Sequence, residues 1–162
     1  MGLDISAYSN VELKRDASDP NYDGYDDGLH RLYINTETQL RHDGMTDGWY
    51  SAEREFDFRA GSYSGYNEWR RELTRLVYRK EPKQIWENPH PGPFVELIDF
   101  SDCEGTIGPK TSAKLAKDFA DWQDRAEGYA AKSNDGDWFI RCYNDWRKGF
   151  EMAAQNGFVS FH

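Results

Sequence analysis

Residues 94–119 read FVELIDFSDCEGTIGPKTSAKLAKDF, and the reading of this passage decides how the rest of the chain is arranged. It opens on an apolar run from Phe94 to Phe100 that only Glu96 and Asp99 interrupt. Such a run predicts a strand buried on both faces, central in its sheet. Past it, Leu115, Phe119, Trp122, Ala126 and Tyr129 recur at helical spacing and predict a helix over residues 110–132. Between strand and helix stand Asp102, Cys103 and Glu104 side by side, followed by Gly105, Thr106 and Gly108. A simple turn needs only part of this.

A second passage follows the same logic. FDFRAGSYSGYNEWRREL leaves an alternating strand, crosses Gly61, Ser62, Tyr63, Ser64 and Gly65, and enters a helix at Tyr66 and Asn67. Within residues 64–79, Tyr66, Trp69, Leu73, Leu76 and Val77 share one face, with Arg70, Arg71, Glu72 and Arg75 assigned to the others. Helix N-termini present unpaired N–H groups and partial positive charge, so junctions of this type suit anions. The structural reading of the same residues is that Ser62 or Ser64 caps the helix and the glycines permit a tight turn.

Working outward, Leu3, Ile5 and Ala7 alternate with Asp4, Ser6 and Tyr8, which predicts a half-buried strand at the start. The same residues, MGLDIS, fit a myristoylation pattern, but one acyl chain holds a membrane weakly and no polybasic patch accompanies it. Strands are also predicted over residues 30–36 and 53–59. Residues 80–93 carry Pro82, Pro89, Pro91 and Pro93 and cannot stay regular for long. A last helix from Gly136 or Asp137 turns Phe139, Cys142, Tyr143, Trp146, Phe150 and Ala153 inward and ends at Asn156-Gly157, before a short strand, FVSF. The order predicts a single α+β domain over residues 1–162, a mostly antiparallel sheet of about four to five strands packed by three helices.

Composition narrows the function. Twenty-five aromatic residues, 15% of the chain, argue against disorder and predict a core built from large amphipathic rings. The formal charge of −9 opposes direct binding to nucleic acid, whose grip rests on Lys and Arg. No apolar run is long enough to span a membrane. Two cysteines, Cys103 and Cys142, and no opening signal segment predict reduced thiols in a cytoplasmic protein, with Cys142 buried and Cys103 accessible. Metal, nucleophile-elbow, dinucleotide and Walker patterns are missing from the sequence, so no cofactor or metal is expected.

The opening MGLDI, the junction AGSYSGYNEWR and the segment ELIDFSDCEGTIGP resemble a family of uncharacterised proteins of bacteria and their phages. The resemblance implies a soluble, intracellular or phage-encoded protein in which these passages are hallmarks. It carries no activity with it, and it does not extend to the acidic loop or to the segment around His90.

Three function classes remain. The first is a protein that binds or sequesters a small polar, nucleotide-like ligand in a pocket formed by both junctions. Its residues would be Gly61, Ser62, Tyr63, Ser64, Gly65, Tyr66 and Asn67 from one side and Asp102, Glu104, Gly105 and Thr106 from the other. The second is an acidic inhibitor of a host protein, a nucleic-acid mimic of the phage anti-defence type, acting through Asp16, Asp19, Asp23, Asp26 and Asp27. That loop, residues 16–28, is expected to be a mobile surface excursion. The third is a hydrolase using Asp102 and Glu104 as a carboxylate pair.

Overall fold

The computed structural model describes residues 2–20, 28–36 and 40–162. Its central strand is the first one, β1 (Gly2–Ser9), which pairs antiparallel with β5 (Arg54–Ser62) on one side and β7 (Phe158–Phe161) on the other. Strand β6 (Gly105–Ile107) extends the sheet beyond β7, giving the order β5-β1-β7-β6. A separate three-stranded sheet has the order β2-β4-β3, from β2 (Glu12–Asp16), β3 (His30–Leu32) and β4 (Gly48–Ser51). The chain is therefore α+β with antiparallel sheets, as the order of elements implied.

Six helices complete the described structure: α1 (Tyr63–Tyr78), α2 (Pro82–Glu87), α3 (Val95–Ile98), α4 (Pro109–Asp121), α5 (Gln123–Ala130) and α6 (Gly136–Ala153). Period-two alternation gives the main sheet two different faces. Leu3, Ile5 and Ala7 of β1 join Val159 and Phe161 of β7 against the helices, in one core with Trp69, Leu73, Phe119, Tyr143 and Trp146. Ring stacking dominates that core: Trp146 lies 5.7 Å from Trp69, 5.6 Å from Tyr66 and 5.0 Å from Phe58 between centroids. On the opposite face Tyr8 and Phe158 pack with Val11, Leu32 and Tyr50, so the small sheet is held on by a second, smaller core.

The passage at 94–100 is not a strand. Phe94 takes a left-handed φ of 61°, and Val95–Ile98 forms a single helical turn with Val95, Leu97 and Ile98 buried. Periodicity cannot separate a short buried strand from a buried helical turn, because both read as a continuous apolar run. The central position falls instead to β1, and a strand appears at Gly105–Ile107, inside the predicted turn. Strand β2 was not expected either. Its burial pattern is almost wholly exposed, so it lacks the apolar alternation that marks a strand.

Other boundaries differ for local reasons. The stripe over 110–132 is two helices, because the backbone of Trp122 leaves helical geometry at φ −101° and ψ 1°. The predicted strand at 30–36 is regular only over His30–Leu32. Helix α6 ends at Ala153, and the left-handed residue is Asn156, with φ 51°. Arg70 is a further correction: assigned to an outer face of α1, it is 4% exposed and buried. Of the acidic loop, Asp16 closes β2 and accepts hydrogen bonds from Ser18, while Asp23, Asp26 and Asp27 lie outside the described residues.

Gly105 is the point where β6 meets the loop before it. Its φ is +136°, and a Cβ there would stand 2.9 Å from Cζ of Phe100. Gly105→Ala is expected to destabilise the fold by about 1–3 kcal/mol through backbone strain and the displaced ring. Urea titration of the variant measures this; an unchanged midpoint would show that the loop relaxes freely.

Candidate functional site

The two junctions singled out in the sequence meet in space. Asn67 Nδ2 donates to Asp102 Oδ2 at 2.8 Å, joining the second turn of α1 to the loop after α3. Behind that bond the Arg70 guanidinium donates from Nη2 to Asn67 Oδ1 and from Nη1 to the Phe100 carbonyl at 2.6 Å. The same guanidinium lies between two rings, 5.1 Å from the centroid of Tyr66 and 5.3 Å from that of Trp86. Arg70 is the residue that sequence reasoning missed. Its signal was its position four residues after Tyr66, one turn along the buried stripe.

The helix ends at these junctions already have partners within the chain. Ser62 is the N-cap of α1, and its Oγ accepts from the Gly65 N–H at 3.0 Å. At α4 the carboxylate of Asp43 accepts from the Thr111 N–H at 2.8 Å and from Thr111 Oγ1 at 2.9 Å. The anion at that helix end is the protein's own. Gly61 sits at an irregularity of register between β1 and β5, with φ +116°, and redirects the strand into α1.

The chosen residues divide among several environments. Tyr63 and Glu104 line a cleft of about 680 Å³, together with Cys103. Asn67 and Asp102 line a second one of about 320 Å³, with Arg70, Arg71 and Trp86. Asp102 and Glu104 thus border different clefts. Ser64 is exposed beside Ser62, 3.1 Å away between hydroxyls. Tyr66 belongs to the buried core, and Gly105 and Thr106 are buried in β6. Thr106 acts indirectly, because its Oγ1 donates to the Tyr33 carbonyl at 2.7 Å and fixes that residue at the mouth of the larger cleft.

The larger cleft lies on the face of the main sheet turned away from the helices. Its floor comes from Tyr8 of β1 and Ser160 of β7, with His162 just beyond the strand end. Arg31 and Tyr33 form one wall, from β3 and the residues after it. Ser6 Oγ and His162 Nε2 share a hydrogen bond of 3.0 Å, and backbone bonds between Asp4 and His162 hold the ring's position. Burial pushes the Tyr8 phenol up to about 12, opposed by its hydrogen bond with Ser6 and reinforced by Glu55 and Asp57. Cys103 is exposed and Cys142 half-buried, both as free thiols; burial also pushes the Cys142 thiol up. Cys142 is therefore less deeply enclosed than its helical stripe implied.

No protein-family model, curated protein or solved structure matches the chain. The site has to be read from its own chemistry. Among the described residues no group of three or more His, Cys, Asp or Glu is placed to hold a metal ion, and no helix is long and apolar enough to cross a membrane.

Two measurements test this geometry. A double-mutant cycle on Asn67→Ala and Asp102→Ala is expected to give a coupling of about 0.5–3 kcal/mol in unfolding free energy, and additive effects would show the bond to be energetically idle. The second uses pH. Burial raises the Tyr66 phenol to about 12, with Arg70 opposing and Asp102 adding, so the folded chain keeps a proton that the unfolded chain loses from about pH 10. Stability should fall as pH rises from about 10 toward 12, and Tyr66→Phe should flatten that slope by about one proton. An identical slope in the variant would show that Tyr66 ionises as freely as in the unfolded chain.

Proposed function

We propose that the protein binds a small polar ligand in the larger cleft, between the wall at Tyr33 and the two junctions at Tyr63 and Glu104. The observation that carries this reading is the cleft itself: about 680 Å³, lined by residues from both junctions and from three strand regions that are distant in sequence. Ligand sites commonly enclose about 300–1,000 Å³, with apolar rings and a few directed polar groups. Tyr8, Tyr33 and Tyr63 supply the rings, and Glu104, Ser160 and His162 supply the polar groups. A ring of nucleoside size is compatible with that space, stacked on tyrosine and held through hydroxyl or amino hydrogens. The reading takes the protein to be a binding or sequestering factor in the cytoplasm of a bacterial cell, of host or phage origin. The free thiols of Cys103 and Cys142 fit a reducing compartment.

Cys103 supplies the assay, because it is exposed at the cleft. Its alkylation by iodoacetamide, followed by peptide mass spectrometry, reports whether the cleft is filled. Screening a library of nucleosides, sugars, amino acids and amines should reveal compounds that slow this reaction and raise the melting temperature together. At about a hundredfold excess over Kd the stabilisation should be about 2.7 kcal/mol. Tyr63→Ala should weaken both effects. A library that leaves Cys103 reactivity and melting unchanged, or acts equally on Tyr63→Ala, overturns the reading.

A further inference from the structure

Resting on the reading of this cleft as the ligand site, we infer that its ligand carries a cationic nitrogen, an ammonium or guanidinium group, on a flat or apolar body. The argument begins with the charges that line it, Arg31 and Glu104. The positive charge of Arg31 is already paired within the protein: Nη1 donates to the Leu32 carbonyl and, at 3.1 Å, to the Gly48 carbonyl, and it forms an ion pair with Asp47. Its guanidinium also lies over the Trp49 ring, 5.6 Å from the centroid. Glu104 is different. Its backbone N–H donates to Ser101 Oγ at 3.1 Å, but its carboxylate has no ion pair and no hydrogen bond among the described residues.

Among the described residues that line it, the cleft therefore offers a ligand one side-chain charge without an ion pair, and that charge is negative. Tyrosine faces carry negative quadrupole density and attract cations at short range, and Tyr33 is 44% exposed where a ligand would meet it. Glu55 and Asp57 act on Tyr8 at the floor, and they make the local potential more negative. The chain as a whole carries −9, which concentrates small cations near any open cleft. A phosphate or carboxylate would meet Glu104, with the Arg31 charge already paired to Asp47. An amine would find both a counter-charge and aromatic walls.

Three probes that share one phenol ring test this in the full-length protein: tyramine, 4-propylphenol and 3-(4-hydroxyphenyl)propionate. Each is titrated against Cys103 alkylation, and tyramine binding is also followed by calorimetry. Tyramine is expected to protect at concentrations about tenfold lower than the neutral phenol, with the propionate weakest. Glu104→Gln should bring tyramine to the level of the neutral phenol, and Tyr63→Ala should weaken all three. Each variant is compared with itself in the absence of probe, since residue 104 adjoins the reporter. Protection by the propionate equal to that by tyramine, or a tyramine preference that survives Glu104→Gln, overturns the cationic ligand and leaves the cleft as a binding site. If no probe protects Cys103, the cationic ligand falls, while the library screen still decides on the cleft.

Discussion

The arrangement depends on a buried guanidinium. Arg70 sits inside the helical layer at 4% exposure, and its charge is accommodated by the Phe100 carbonyl, the Asn67 amide and the faces of Tyr66 and Trp86. Removing an ion from water is costly, and such a group persists only where several partners are held in position for it. Here the partners come from α1, from α2 and from the loop that follows α3. One side chain thus fastens the loop at 100–104 to the start of α1. Glu104 reaches the cleft because Phe100 and Asp102 are tied down just before it.

The cleft follows from the way the main sheet uses the two faces of β1 and β7. Their inward residues, Ile5, Ala7, Val159 and Phe161, are consumed by the helical core. Tyr8 and Phe158 on the other face anchor the small sheet through Leu32 and Tyr50. That second core covers only one end of the face. Toward Ser160 and His162 the sheet stays open, and β3 and the two junctions rise on either side of it. Because the floor is a central antiparallel ladder rather than a loop, the polar groups on it stand on rigid backbone.

Charge is handled mostly by internal pairing. Arg41 forms a two-pronged bond to Asp99, whose carboxyl is raised by burial and lowered again by that arginine. Lys114 lies between Glu96 and Asp118, and Arg75 between Glu72 and Glu81. Against this background Glu104 is an exposed carboxylate with no ion pair among the described residues, and it lines the same cleft as Tyr8, Tyr33 and Tyr63.

The sequence by itself determined the elements whose signal is local. The alternation of Leu3, Ile5 and Ala7, the stripe from Tyr66 to Val77 and the inward face of α6 each follow from the period of one strand or helix. So does the closing strand, FVSF. It also pointed to the two junctions, and the Asn67–Asp102 bond joins them. Tertiary structure decided the rest. Phe94 to Phe100 reads as a strand because burial on all sides erases the period, and only packing against α4 and α6 made it a helical turn. Arg70 became a core residue because carbonyl and ring partners far along the chain were brought to it. The cleft joined Tyr8, Tyr33, Tyr63, Glu104 and Ser160 across the whole length of the chain, and no spacing in a linear sequence encodes that meeting.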